Sequence, residues 1–252
     1  MEIISSLHRI PGMRGANAYL LLGSPMTLVD TGMPGSDETI LAYIDSLGLD
    51  ARSLERIIIT HHHLDHVGSA AALKRRTSAQ VLAHPGDALF ISGEQAPRPP
   101  QSPVMRFLFR LMAPLMPSAE AVSIDLVVQD NDHLDLLGGA AVVQVPGHSP
   151  GAIALHFPSE GLLICGDAID HRRGRLGPPP KAFTMDMDQA ITSIRRMAEL
   201  EFHVLCPDHG TSFVGGADKV VRVMARGLGW VDPVRGSGLQ GLVLQIHLRF
   251  RI

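Results

Sequence analysis

The chain is 252 residues long and 45% hydrophobic, with 22 basic and 25 acidic side chains and a formal net charge of −3. That is enough apolar residue for one substantial core, and the mild negative charge argues against a broad basic surface for nucleic acid. Two cysteines exclude a disulfide framework. No apolar run approaches the roughly 20 residues that span a bilayer. Because residues 1–8 lack a basic and then apolar leader, a cytoplasmic protein without a membrane span is expected.

Strands are predicted at 2–10, 18–22 and 26–29 from their apolar content. Asp30-Thr31-Gly32-Met33-Pro34-Gly35 reads as a turn. Ser36 looks like an N-cap, with Asp37 and Glu38 opening a helix that runs to Leu47 and stops at Gly48. A strand at 56–59, a short helix at 68–76, a strand at 80–83 and a turn or two of helix at 85–91 follow. Residues 97–117 combine prolines with a Met/Phe-rich run in which Arg106 and Arg110 share one helical face. A lid over a pocket, a homodimer interface and an ordinary core helix are the three readings of that segment. Further on come strands at 126–129, 141–145, 153–157 and 162–165, a helix at 187–200, a strand at 203–206 and a helix at 217–226. The Gly-rich stretch 227–252 ends in a strand-like alternation at 242–250.

Chemistry concentrates in Thr60-His61-His62-His63-Leu64-Asp65-His66-Val67-Gly68, where four histidines and one aspartate fall within six positions. Packing does not call for such a run. Imidazole and carboxylate are the ligands a borderline ion such as Zn²⁺ takes. The spacing His-x-His-x-Asp-His puts side chains on different sides of a loop, so His61 and His63 can grip one ion while Asp65 and His66 reach another. Three more candidates stand in matching contexts: His148 in Pro146-Gly147-His148-Ser149-Pro150-Gly151, Asp167 after Gly166, and His209 in Pro207-Asp208-His209-Gly210. Each lies just past a short apolar run, in a loop marked by Gly or Pro. Such ligands converge only if their strands share one edge.

In this order, with Leu28-Val29-Asp30-Thr31-Gly32 ahead of them, the motifs resemble those of the metallo-β-lactamase-fold hydrolases, in the branch of the hydroxyacylglutathione hydrolases (glyoxalase II) and acyl-homoserine lactonases. The resemblance spans residues 4–227. It implies an α+β fold, the αββα sandwich of two mixed β-sheets packed face to face with helices outside, where periodicity alone says only α/β or α+β. It also implies one domain over 1–227, leaving 228–252 as a C-terminal extension. The resemblance puts a first metal on His61, His63 and His148 and a second on Asp65, His66 and His209. Asp167 bridges the two, and Asp65 and Asp167 are the catalytic carboxylates. Two divalent ions are expected, zinc first, with iron or manganese as alternatives. A water they share would ionise near neutral pH and attack a thioester, a lactone or a related small ester.

The same residues leave other readings open: an iron persulfide dioxygenase with one ion on His61, His148 and Asp167, a β-lactam hydrolase or nuclease of the same fold, or a metal-stabilised binding domain. The tail is poor in Lys and Tyr and departs from the glyoxalase II pattern. Asp30 is implied to orient a ligand histidine through its other ring nitrogen; the plainer reading is a turn-forming Asp. His62 is expected to point away from the ions. His171, Arg172 and Arg173 either meet an anionic substrate tail or form a solvated basic loop. Cys165 and Cys206 read as small buried hydrophobes, and His84, His133, His156, His203 and His247 as incidental.

Overall fold

Four antiparallel strands open the chain: β1 (Glu2–Ile4), β2 (Leu7–Arg9), β3 (Tyr19–Leu21) and β4 (Met26–Val29). Three parallel strands, β5 (Leu54–Ile58), β6 (Gln80–Ala83) and β7 (Leu126–Val127), extend the same sheet in sequence order. The second sheet uses β8 (His133–Leu134), β9 (Ala140–Gln144), β10 (Ile153–Phe157), β11 (Leu162–Gly166), β14 (Val204–Pro207) and β15 (Phe213–Val214), in the order β15-β14-β11-β10-β9-β8. A small third sheet joins β12 (Asp170–Arg172) and β13 (Arg175–Gly177) to β16 (Val231–Asp232) and β17 (Gln245–Ile246). This computed structural model describes residues 1–96, 106–107, 111, 117–227, 231–232 and 245–246. The lid, interface or core helix read at 97–117, and the strand-like run at 242–250, lie outside the described residues except at those positions.

Strand alternation builds the layers. Successive side chains point to opposite faces, and here both faces are covered. Tyr19, Leu21, Val29 and Ile58 meet Val142, Leu155, Phe157 and Ile164 between the sheets. Their neighbours Leu20, Leu28 and Ile57 face outward onto Ile40 and Ile44 of helix α1 (Asp37–Ser46) and Leu73 of α3 (Ala70–Thr77). On the far side Leu163, Cys165 and Leu205 pack on Ile194 and Met197 of α5 (Met187–Met197) and on Val220, Val221 and Met224 of α6 (Ala217–Gly227). Fully burying each aliphatic side chain contributes about 1.5–3 kcal/mol. The result is the αββα sandwich, with both cysteines as buried apolar filling. Val231 packs into the outer cluster beside α6, so Val231, within the 228–252 stretch, adds to the third sheet and to this core. Among the described residues, no helix is long and apolar enough to cross a membrane.

Several elements differ from the sequence expectation. Residues 2–10 form a hairpin, not one strand, because the chain turns at Ser5-Ser6 with Ser6 at φ 68°. Ser36 precedes α1 but makes no side-chain cap; its N–H instead donates to Ser69 Oγ at 2.9 Å. The helix expected at 68–76 is α3, which begins two residues later, and a separate turn of helix, α2 (Leu64–Val67), precedes it. α2 therefore begins inside the metal-loop motif.

Candidate metal centre

The strands deliver the candidate ligands to one edge. β5 runs out at Ile58, and Thr60 to His66 follow; His63 stands at the N-cap position of α2, which carries Asp65 and His66. β11 ends at Gly166, one residue before Asp167, and its parallel partner β14 ends at Pro207, two before His209. β9 leads through Val145 to His148. The two sheets are tied at this edge. Ile153 N–H donates to Thr60 O (3.0 Å), Asn17 N–H to Asp208 O (2.7 Å), and the Tyr19 hydroxyl to Pro207 O (2.6 Å).

All seven sequence-predicted ligands come together. His61, His63, His148 and Asp167 offer atoms within 4.8 Å of one another, and so do Asp65, His66 and His209. Asp167 faces both groups. Its Oδ2 lies 3.3 Å from His148 Nε2, 4.0 Å from His61 Nε2 and 3.3 Å from His209 Nε2, and its Oδ1 is 3.5 Å from His66 Nε2. Asp65 Oδ2 is 3.4 Å from His209 Nε2. Two atoms each about 2.0–2.1 Å from one tetrahedral zinc stand roughly 3.3 Å apart, so the spacing fits a shared ion. His61 Nε2, His66 Nε2 and Asp167 Oδ1 are buried and have no hydrogen-bond partner among the described residues. Buried polar atoms are rarely left so, because each costs about 1–3 kcal/mol. Cations at the two ligand groups would satisfy them, His61 Nε2 in the first group and His66 Nε2 in the second, with Asp167 facing both.

A second layer of contacts fixes the rings. His66 Nδ1 donates to Asp30 Oδ2 at 2.9 Å, with Asp208 Oδ2 at 3.3 Å. The Thr60 hydroxyl donates to Asp30 Oδ2 (2.6 Å) and accepts from His61 Nδ1 (3.1 Å), while Thr60 N–H donates to Asp30 Oδ1 (2.8 Å). His148 Nδ1 faces Thr184 Oγ1 at 3.3 Å. Each contact occupies Nδ1 and leaves Nε2 facing the ligand group. His63 differs: its Nδ1 faces His148 Nε2 at 2.9 Å. Asp30 sits at φ 57°, a left-handed conformation that Asp tolerates better than most residues. Asp30→Ala is expected to weaken metal affinity about 10–100-fold with the fold retained, read by competition with a chelator. Unchanged affinity would return Asp30 to a turn-former.

The electrostatics of the two groups differ. Burial, then the facing histidines, drive His61 well below the usual imidazole range and His63 down to about 3. Both are neutral with free lone pairs at neutral pH. Burial opposes charge on His209 as well, but hydrogen bonds to Asp167 and Asp65 hold it at about 9. Burial likewise opposes ionisation of Asp65, yet His209 and His66 hold it at about 2. Below about pH 9 an ion entering the second group must therefore displace the His209 proton, whereas His63 of the first group has none to lose above about pH 3. Second-group affinity should rise at least about tenfold per pH unit between pH 6 and 8, more steeply than first-group affinity. Metal competition titrations at pH 6, 7 and 8 check this; a steeper dependence at the first group would contradict it.

Sequence reasoning missed Thr60, Asp87 and Asp208. Asp208, fully buried, is pushed well above the carboxylate range by burial and by Asp30; its only signal was its place beside His209. His62 turns to Asp87 Oδ2 at 2.9 Å, away from the ligand atoms, as expected. Neither reading of the 171–173 stretch fits His171, which is buried and bonded to the Thr211 carbonyl, and Arg172 pairs with Asp170 at 2.9 Å. His84 caps α4 (Pro85–Ile91) through Gly86 N–H.

Residues 11–209 match the Metallo-beta-lactamase superfamily. The probable metallo-hydrolase YflN of Bacillus subtilis (strain 168) is 27% identical over 202 residues, 75% of this chain and 76% of its own. A hydroxyacylglutathione hydrolase of Ectopseudomonas mendocina (strain ymp) is 30% identical over 138 residues, which are 54% of this chain and 40% of that protein. The metallo-beta-lactamase family protein TTHA1429 of Thermus thermophilus is alike in fold, with a TM-score of 0.67 at 24% identity over 90% of this chain and 79% of that one. The ordered motifs, the layered sheets and the match over residues 11–209 lead to one placement: this chain belongs to the metallo-β-lactamase superfamily and is a metal-dependent hydrolase.

Proposed function

We propose that this hydrolase holds two divalent ions, zinc first, and cleaves a thioester or a related small ester such as a lactone. His61, His63 and His148 would hold one ion, Asp65, His66 and His209 the other, and Asp167 would serve both. The observation that carries the reading is the pair of ligand groups meeting at Asp167, with three ligand atoms buried and otherwise unpartnered. When bound, the ions supply Lewis acidity and a water acidified toward neutral pH. The protein's own part is geometric. Thr60, Asp30 and Thr184 hold three ligand rings in one tautomer. The Asp65 and His209 side chains are 27% and 20% exposed, against 1% for His61 and 2% for His148. Asp65 and His209 therefore lie on the open side of the site, and His61, His148 and His66 form its buried floor.

The thioester preference draws on the likeness to the hydroxyacylglutathione hydrolase, which is partial in length. The net charge of −3 suits a small-molecule substrate better than a nucleic acid. The test is metal content per chain, on untagged protein purified without added metal, followed by a panel of thioesters and lactones. About two zinc or manganese ions, with turnover on the panel, is the expected result. About one iron with no esterase activity would point to the persulfide dioxygenase instead.

A further inference from the structure

Asp87 has no place in the ligand set, yet it is 1% exposed and fully engaged. Its Oδ2 accepts from His62 N–H (2.9 Å) and from Ser149 Oγ (2.6 Å) and faces His62 Nδ1 at 2.9 Å. Its Oδ1 accepts from Gly151 N–H (2.7 Å). One carboxylate thus ties the loop after β5 to the loop after β9, with Ser149 lying 62 residues beyond Asp87 in sequence. Neither contact is remote from the ligands. His62 lies between His61 and His63, and Ser149 follows His148. None of the four bonds reaches the loop of His209. The helix that carries Asp87 is shaped to this contact. The His62 ring stacks on Phe90 of the same helix, with centroids 4.4 Å apart and planes 20° from parallel. A Cβ on Gly151 would meet Asp87 N at 2.4 Å, and one on Gly86 would meet Gly151 Cα at 2.9 Å. Backbone lies directly on backbone here, so α4 has no slack to shift relative to the 146–151 loop.

We propose that Asp87 is a positioning residue for the first ligand group: it sets the distance between the His61/His63 loop and the His148 loop and leaves the second group untouched. This rests on the two-ion reading above. Without Asp87 the His62 and Gly151 amides lose their buried acceptor, the two loops lose their common tie, and the 2.9 Å approach of His63 Nδ1 to His148 Nε2 is no longer held. A loop anchor that only stabilised the fold would weaken both ion sites alike.

The experiment is a Co²⁺ titration of the chelator-stripped full chain, followed by visible absorbance, for wild type, Asp87→Ala, Ser149→Ala and the double variant, with thermal unfolding of each stripped protein alongside. Asp87→Ala should raise the first-site dissociation constant about 10–100-fold and leave the second within about twofold. Ser149→Ala, which removes one of the four bonds, should shift the same site by less. In the double variant Ser149→Ala should add nothing further, because it acts through Asp87. Equal weakening of both sites, or an unchanged first site, would overturn the proposal whatever the thermal stability does. If Asp87→Ala does not fold, Asp87→Asn, which must turn its NH₂ toward at least one of the donors, carries the same comparison with Ser149→Ala. A wild-type titration that ends at one ion would sink the two-ion reading instead, and Asp87 would then be judged by whether that single ion weakens.

Discussion

Asp167→Ala is expected to abolish measurable hydrolysis and to lower metal content at both ligand groups. No other described side chain faces His148 and His61 on one side and His209 and His66 on the other at 3.3–4.0 Å. Burial opposes its charge, but His66, His148 and His209 hold the carboxyl well below the usual range, so it is ionised and ready for a cation at any working pH. Removing it takes away one of the two carboxylates in the ligand set and leaves the ring nitrogens facing a cavity. Loss of several kcal/mol of charge stabilisation corresponds to roughly 10³-fold or more in rate. A second readout separates this from simple unfolding. Ligands that bind only the folded state stabilise it by RT ln(1 + [L]/Kd), so the difference in Tm between metal-loaded and chelated protein should shrink in the variant even if the chelated protein melts like wild type. Near-normal hydrolysis by Asp167→Ala would end the dinuclear assignment.

The candidate ligand residues were legible because metal chemistry admits few residue types and places them at loop ends. His61, His63, Asp65 and His66 stand in a run that no core would use, and His148, Asp167 and His209 each follow an apolar strand and a Gly or Pro. The layered fold came from the family resemblance, because a uniformly apolar run such as Ile57-Ile58-Ile59, whose outer members and middle member enter different core clusters, carries no alternation to show which face meets which layer. Other features left no such trace. The β12–β13 hairpin is written in Asp170-His171-Arg172-Arg173-Gly174-Arg175, polar residues that resemble an exposed loop. The turn at Ser5-Ser6 lacks Gly, Pro and Asn, so the first hairpin looked like a single strand. Asp87 and Thr60 owe their importance to partners distant in sequence or to a hydroxyl shared between Asp30 and His61, and a single chain read in order shows neither.

Gly210→Ala should be among the most damaging single-methyl additions to this protein. Gly210 follows His209 and lies at φ +95°, outside what an L side chain adopts comfortably. A Cβ there would stand 1.6 Å from the carbonyl oxygen of His171 and 2.6 Å from its carbonyl carbon. Both atoms are backbone, held in place because His171 N–H donates to His209 O at 3.2 Å and His171 pairs with Leu176 in the third sheet. On the other side, Gly210 O accepts from Arg9 Nη1 (3.1 Å) and Asn17 Nδ2 (3.0 Å). Either β12 moves away, pulling on the chain just after Asp167, or the loop retreats and takes His209 with it. Backbone strain of about 1–3 kcal/mol and overpacking of about 1–3 kcal/mol sum to roughly 2–6 kcal/mol, a large part of the roughly 5–15 kcal/mol that holds a domain folded. Gly215→Ala provides the control. Its φ is +93°, but nothing lies within 4 Å of the added methyl, so it carries the strain without the clash and should cost only about 1–3 kcal/mol. Denaturant unfolding of both variants, with metal affinity of the group that includes His209, checks the account. Gly210→Ala should lose clearly more stability than Gly215→Ala and should weaken the second ion selectively. Equal losses in the two would mean that backbone conformation alone matters here and that the His171 carbonyl yields freely.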